Sequence, residues 1–124
     1  LAFGVRREWV GSSRPNPFME TTLSLYEPRG AALAPVLDDL IVERSQGQWD
    51  LSCAGETVVT ERILRMVPGQ KGQDISVLER ITQSTSREAK NGECSTTDQA
   101  VAPRTIRLSF DGKRYDVPRL IQRR

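Results

Sequence analysis

Two cysteines are the strongest nucleophiles in this 124-residue chain, and their spacing limits what they can do. Cys53 and Cys94 stand 41 positions apart, so they make neither a CxxC redox pair nor a zinc framework. The chain has no histidine at all. That removes the Ser-His-Asp and Cys-His nucleophile systems, the usual zinc sites and every imidazole acid–base pair. Two thiolates without imidazole reach four metal ligands only with unusual carboxylate help, so no metal and no cofactor is expected.

Three uses of the cysteines remain: a structural disulfide, two separate buried thiols, or one reactive thiol. The disulfide is the expectation. Cys53 ends the run Trp49-Asp50-Leu51-Ser52, which reads as a strand, and Cys94 lies in the polar run 90–97, which reads as an exposed loop. A bond would pin that loop to a strand and contribute roughly 3–4 kcal/mol by closing a loop of that length. It would also place the chain in an oxidising compartment, periplasmic or secreted, whereas free thiols would fit the cytoplasm.

The other reactive groups form no recognisable machinery. Asp38 and Asp39 are adjacent, so on a helix they diverge by about 100 degrees and share no site; an acidic first turn is the expected role. Glu56 and Glu61 have no visible partner. Gly69-Gln70-Lys71-Gly72 lacks the spacing and the following Ser or Thr of a phosphate loop, and reads as a hairpin turn. Ser84 and Lys90 are too far apart for a Ser-x-x-Lys pair. Neither Asn16 nor Asn91 opens a glycosylation site.

Charge is distributed unevenly. Fifteen arginines stand against three lysines, and arginine's planar fork suits carboxylate and phosphate partners. Residues 1–100 carry 11 basic and 14 acidic side chains, a net of −3; residues 101–124 carry 7 basic and 2 acidic, a net of +5. A basic end on an acidic body attracts acidic proteins, phosphate backbones or anionic surfaces. The chain opens on Leu1 rather than methionine, which reads as a mature form with its leader removed or as a trimmed chain.

The elements that must position these residues are mostly strands. At 37% hydrophobic and 27% charged the composition is globular, and the length suits one domain, 1–124. No apolar run is long enough to cross a membrane as a helix. Residues 105–110 alternate, and Asp111-Gly112 is a favoured two-residue hairpin turn. That register would set Phe110 opposite Lys113, Leu108 opposite Tyr115 and Ile106 opposite Val117, with Arg107 facing Asp116 on the other side. Strands are also expected at 3–10, 21–26, 57–67 and 75–82, the last two paired across the loop 68–73, with a polar loop from 83 to about 103.

Leu33, Val36, Leu37, Leu40 and Ile41 recur at helical spacing after Pro35, so a short helix is expected near 35–44. A hairpin turning at 45–47 is the competing reading. The fold class expected is therefore α+β: six or seven mainly antiparallel strands in a small sandwich or open barrel, with that one helix. All-β is the alternative.

These readings converge on a small exported, disulfide-stapled, non-catalytic module that binds another protein, of the inhibitor or immunity type. Its partner is expected to present an acidic surface. Arg107, Arg114 and Arg119 are the candidate contacts, with Trp9, which stands among Arg6, Arg7 and Glu8; Trp49 is expected in the core. Two alternatives remain. One is a cytoplasmic nucleic-acid-binding accessory that uses the basic C-terminal hairpin and keeps its cysteines free. The other is an enzyme with a carboxylate–arginine site that needs no histidine.

Overall fold

Residues 2–123 are described by a computed structural model, and they form one open sheet of seven antiparallel strands. In chain order these are β1 (Phe3–Val10), β2 (Phe18–Arg29), β3 (Ala32–Trp49), β4 (Gly55–Pro68), β5 (Gln73–Glu88), β6 (Cys94–Ala100) and β7 (Arg104–Leu108). Strands β1 to β6 lie side by side in sequence order, and β7 pairs with β5 beyond the end of β6. The helical content among the described residues is a single 3-10 turn, Arg119–Ile121. The all-β reading is therefore the correct one, and the sheet is open rather than sandwiched.

The helix expected at 35–44 is strand instead, and the chain runs straight through 45–47 without turning. The reason lies in the β2–β3 ladder, whose register shifts between Thr21 and Thr22, between Leu23 and Leu25, and between Leu25 and Tyr26. Each shift leaves β3 with extra residues, which bulge and bend the strand. Bulging breaks the two-residue alternation, so Val36 and Leu37, then Leu40, Ile41 and Val42, are all buried. Apolar residues three and four apart thus reflect an irregular strand. Asp39 marks the sharpest irregularity, with φ of 44°. Its amide donates to Ser24 Oγ at 3.0 Å, and its carboxylate accepts from Thr22, Ser24 and Arg7. Asp39 is therefore a bulge residue, and the acidic helical turn expected at 38–39 does not exist.

The sheet divides into two regions. Only Glu43–Trp49 of β3 pair with β4, so the first half of β3 has a free edge. The C-terminal segment fills it: the Tyr115 amide donates to the Val36 carbonyl at 2.7 Å, the Arg123 amide donates to the Asp39 carbonyl at 3.0 Å, and Gln122 bridges to Leu40. This closure curls the sheet around a body core of Leu37, Leu40, Val42, Ile75, Val77, Leu108 and Ile121. The second region, an arm built from residues 45–61 and 82–100, contributes none of the buried hydrophobic side chains; its buried residues are Thr60 and Ser86.

The polar loop expected from 83 onward is mostly sheet: β5 continues to Glu88 and β6 returns along it from Cys94. Hydroxyls take the place of apolar contacts there, with Ser84 Oγ donating to Asp98 at 2.6 Å and Ser86 Oγ bonded to Thr96 at 2.8 Å. Trp49, expected in the core, is half-buried at the end of the arm and lies over Gly55, its directly opposite residue. A Cβ at Gly55 would overlap the indole ring.

The C-terminal turn forms at Asp111-Gly112, but four residues span it. Phe110 bridges Tyr115, and the Asp116 amide donates to Ser109. The expected register is thus shifted by two at the turn, and the expected pairs Leu108–Tyr115, Ile106–Val117 and Arg107–Asp116 do not form. Asp111 is the cause: its Oδ1 accepts the amides of Lys113 and Arg114, both at 2.8 Å, and a two-residue turn cannot supply both. The returning residues then leave β7 for β3 rather than completing a second strand.

Candidate binding cleft

The β4–β5 turn and the 109–116 loop face each other across an open cleft of about 830 Å³. Asp74, at the start of β5, holds its two walls together. Its carboxylate accepts the Phe110 amide at 2.9 Å and Arg107 Nε at 2.9 Å, while Arg107 also donates to the Pro68 carbonyl at 2.7 Å. Gly69 packs against that carboxylate so closely that a Cβ would collide with it. The aromatic wall is Phe110 and Tyr115, with ring centroids 5.0 Å apart, and the Tyr115 hydroxyl donates to the Gln73 carbonyl. From the far side, Arg29 donates to the Lys113 carbonyl and steadies the loop.

The electrostatics follow from these bonds. The Phe110 amide, and then Arg107, hold the Asp74 carboxyl below its ordinary value of 3.8. The amides of Arg114 and Lys113 do the same for Asp111, and the charges of Arg114 and then Lys71 act in the same direction. Burial pushes the Tyr115 phenol up, and the Asp74 and Glu27 charges push it the same way. The cleft's acids are thus occupied, apart from Asp116. Lys71, Lys113 and Arg114 carry no ion pair among the described residues.

Of the sequence-predicted contacts, Arg107 and Arg114 meet at this cleft. Arg107 pairs with Asp74 rather than with Asp116, because the turn is wider and β7 lies against β5. Arg119 is exposed on the 3-10 turn and does not line the cleft. Trp9 lies on β1, where the Arg123 guanidinium stacks 4.0 Å from its ring centroid. Arg124, the other residue of the basic tail, lies outside the described residues. Lys71 and Asp74 were not singled out as contacts. Lys71 reads only as a turn residue, and nothing local marks Asp74 as the receptor of an amide 36 positions away.

Cys53 and Cys94 are bonded, with Cα atoms 5.7 Å apart. Their settings are the reverse of those expected. Cys53 lies in the 50–54 loop, where Asp50 accepts its amide and that of Ser52, and Cys94 opens β6. The bond crosses the end of β5, joining the β3–β4 loop to the strand on β5's other side.

The carboxylates buried in the sheet are held by arginines. Glu79 accepts from Arg104 at 2.6 Å and from Arg62 at 2.9 Å, and those arginines, Arg104 first, lower its pKa. Glu20 accepts from Arg44 at 2.6 Å and from Arg123 at 2.5 Å.

No family model, no curated protein and no solved structure matches this chain. What its fold and bonds define is a class: a small disulfide-stapled, all-antiparallel β module. Among the described residues no helix is long and apolar enough to cross a membrane.

Proposed function

We propose that this chain is a non-catalytic protein-binding module of the inhibitor or immunity type, working in the periplasm or outside the cell. The partner presents an acidic segment to the cleft between the β4–β5 turn and the 109–116 loop. The observation that carries this reading is the set of unpaired cations at the cleft. Asp74 and Asp111 are taken up by Arg107 and backbone amides, while Lys71 and Arg114 on the cleft, and Lys113 in the adjoining turn, are left without ion pairs among the described residues, as is one acid, Asp116. Unpaired cations beside an aromatic wall suit a carboxylate-bearing loop, with charge steering its approach.

Two further points support the reading. The pKa of buried Glu79 is moved down chiefly by Arg104, and that of Asp74 by the Phe110 amide and then Arg107, as structural bonds do; a general acid needs the opposite shift. The bonded cysteines favour an oxidising compartment and remove the free thiols that the cytoplasmic nucleic-acid reading requires. That reading is weakened again because Arg104 and Arg107 of the basic segment are tied to Glu79 and Asp74.

The test is a paired capture from envelope and secreted fractions, using the wild-type chain and a Lys71→Glu/Arg114→Glu variant as baits. A protein held by the wild type, released by moderate salt and absent from the variant supports the cleft. An identical set of captured proteins on both baits sinks it.

A further inference from the structure

Strand β1 is an edge of the sheet, with Arg123 stacked on its Trp9. Among the described residues it pairs with β2 alone, and all eight of its residues are exposed. Phe3 is 49% exposed, Val5 46% and Trp9 37%, and all three share one face with Arg7. Such an edge is a template for another strand unless charge or geometry blunts it. Here the charges fall in a particular order: Val5-Arg6-Arg7-Glu8-Trp9. Arg7 is paired with Asp39 at 2.6 Å, but Arg6 and Glu8 have no ion pair among the described residues.

We propose that β1 is the interface at which two copies of this chain pair, antiparallel, about a two-fold axis through Arg7. An antiparallel extension of the sheet about a two-fold axis sets residues of the same parity opposite one another, so only a few registers exist. With Arg7 on the axis, Arg6 faces Glu8 of the second copy and Glu8 faces its Arg6. Val5 faces Trp9 of the second copy on the other surface, and the reverse. Both kinds of pair, opposite charges and aromatic with β-branched, stabilise directly opposed positions. The one like-charge contact, Arg7 with Arg7, is offset because each guanidinium already holds its own Asp39.

The neighbouring registers lose these advantages. An axis at Arg6 opposes two arginines that have no counter-ion and leaves Glu8 facing Gly4. An axis at Glu8 opposes two unpaired glutamates and sets Arg6 against Val10. The self-complementarity of the edge therefore selects a second copy, in one register, as its occupant. Eight residues make a small interface, so the dimer is reversible and concentration-dependent. None of these residues lines the cleft of the proposed function, and either inference stands without the other.

Sedimentation velocity on the intact chain over a concentration series, at low salt, tests the proposal. The wild type is expected to shift from monomer to dimer as concentration rises. Arg6→Glu and Glu8→Arg, both on the exposed surface, each set like charges opposite one another twice, and each alone should weaken dimerisation by at least ~10-fold. Mixed in equal amounts, the two variants restore both Arg–Glu pairs, and the heterodimer should form as readily as the wild-type dimer. Misfolding of either variant would not be rescued by mixing, so recovery identifies the register. A wild type that stays monomeric at every concentration overturns the proposal. So do variants that dimerise as the wild type does, and so does a mixture that fails to recover.

Discussion

The body and the arm of this sheet are built from the same strands and held by different forces. In the body, the first halves of β3 and β5 enclose Leu37, Leu40, Ile75 and Val77, and the C-terminal segment closes the gap. In the arm, the second halves of those strands carry serine, threonine and glutamine on surfaces that no other layer covers. Apolar burial cannot hold the arm, and a bare antiparallel ladder is marginal in water. The disulfide lies at the arm's far end, where it ties the flanks of β5 together. The covalent link thus serves the region that lacks a core.

Core truncation gives the largest effect. Leu40→Ala or Ile75→Ala should cost about 4 kcal/mol by denaturant unfolding, because both side chains are fully enclosed. A cost below about 1 kcal/mol would mean the body is not the stabilising unit.

Removing the staple comes next and separates the regions most sharply. Cys53→Ser/Cys94→Ser should cost roughly 3 kcal/mol or less. Amide exchange should accelerate first in 45–61 and 82–100 while the body amides stay protected. Uniform acceleration across the chain would erase the distinction between the two regions.

The ion pairs of the body on Glu79, next to the arm, are third. Glu79→Gln leaves Arg62 without its carboxylate and should cost about 2 kcal/mol, less than for a fully enclosed pair because Arg104 is largely exposed. The same groups set the acid limit. Asp74 and Glu79 titrate below their ordinary values of 3.8 and 4.5 in the fold. Their contribution is complete above those values and is lost as pH falls through the lowered ones. Stability should therefore be flat from neutral pH to about 5 and decline below about 4. The Glu79→Gln variant should show a shallower decline, measured by thermal unfolding against pH.

The smallest effect belongs to the arm's surface. Thr85→Ala should change stability by no more than ~0.5 kcal/mol. A larger loss would show that the arm is covered in a way that the chain alone does not reveal.

Legibility followed the same boundary. The β4–β5 hairpin could be expected from residues 57–67 and 75–82 because apolar side chains mark the strands and Pro68-Gly69 marks the turn. Strand β6 could not, because Cys94–Ala100 is exposed throughout and has no apolar face to give a period. The β3 bulges concealed a strand behind helical spacing. Among the residues lining the cleft, charge alone singles out Arg107 and Arg114 as candidates, while Asp74 carries no local signal because its partners lie more than thirty positions away.

From residue types and local spacing alone came the mainly antiparallel sheet, the turns at 68–73 and 111–112, the absence of imidazole chemistry and the expectation of a Cys53–Cys94 bond. These depend on side-chain chemistry, on steric limits within a few residues, or on the simple number of cysteines. The tertiary structure alone decided that β3 bulges, that the C-terminal segment returns to its free edge, and which arginine meets which carboxylate. Those outcomes depend on how a bent sheet closes on itself, and closure brings together residues whose separation along the chain carries no periodic signal.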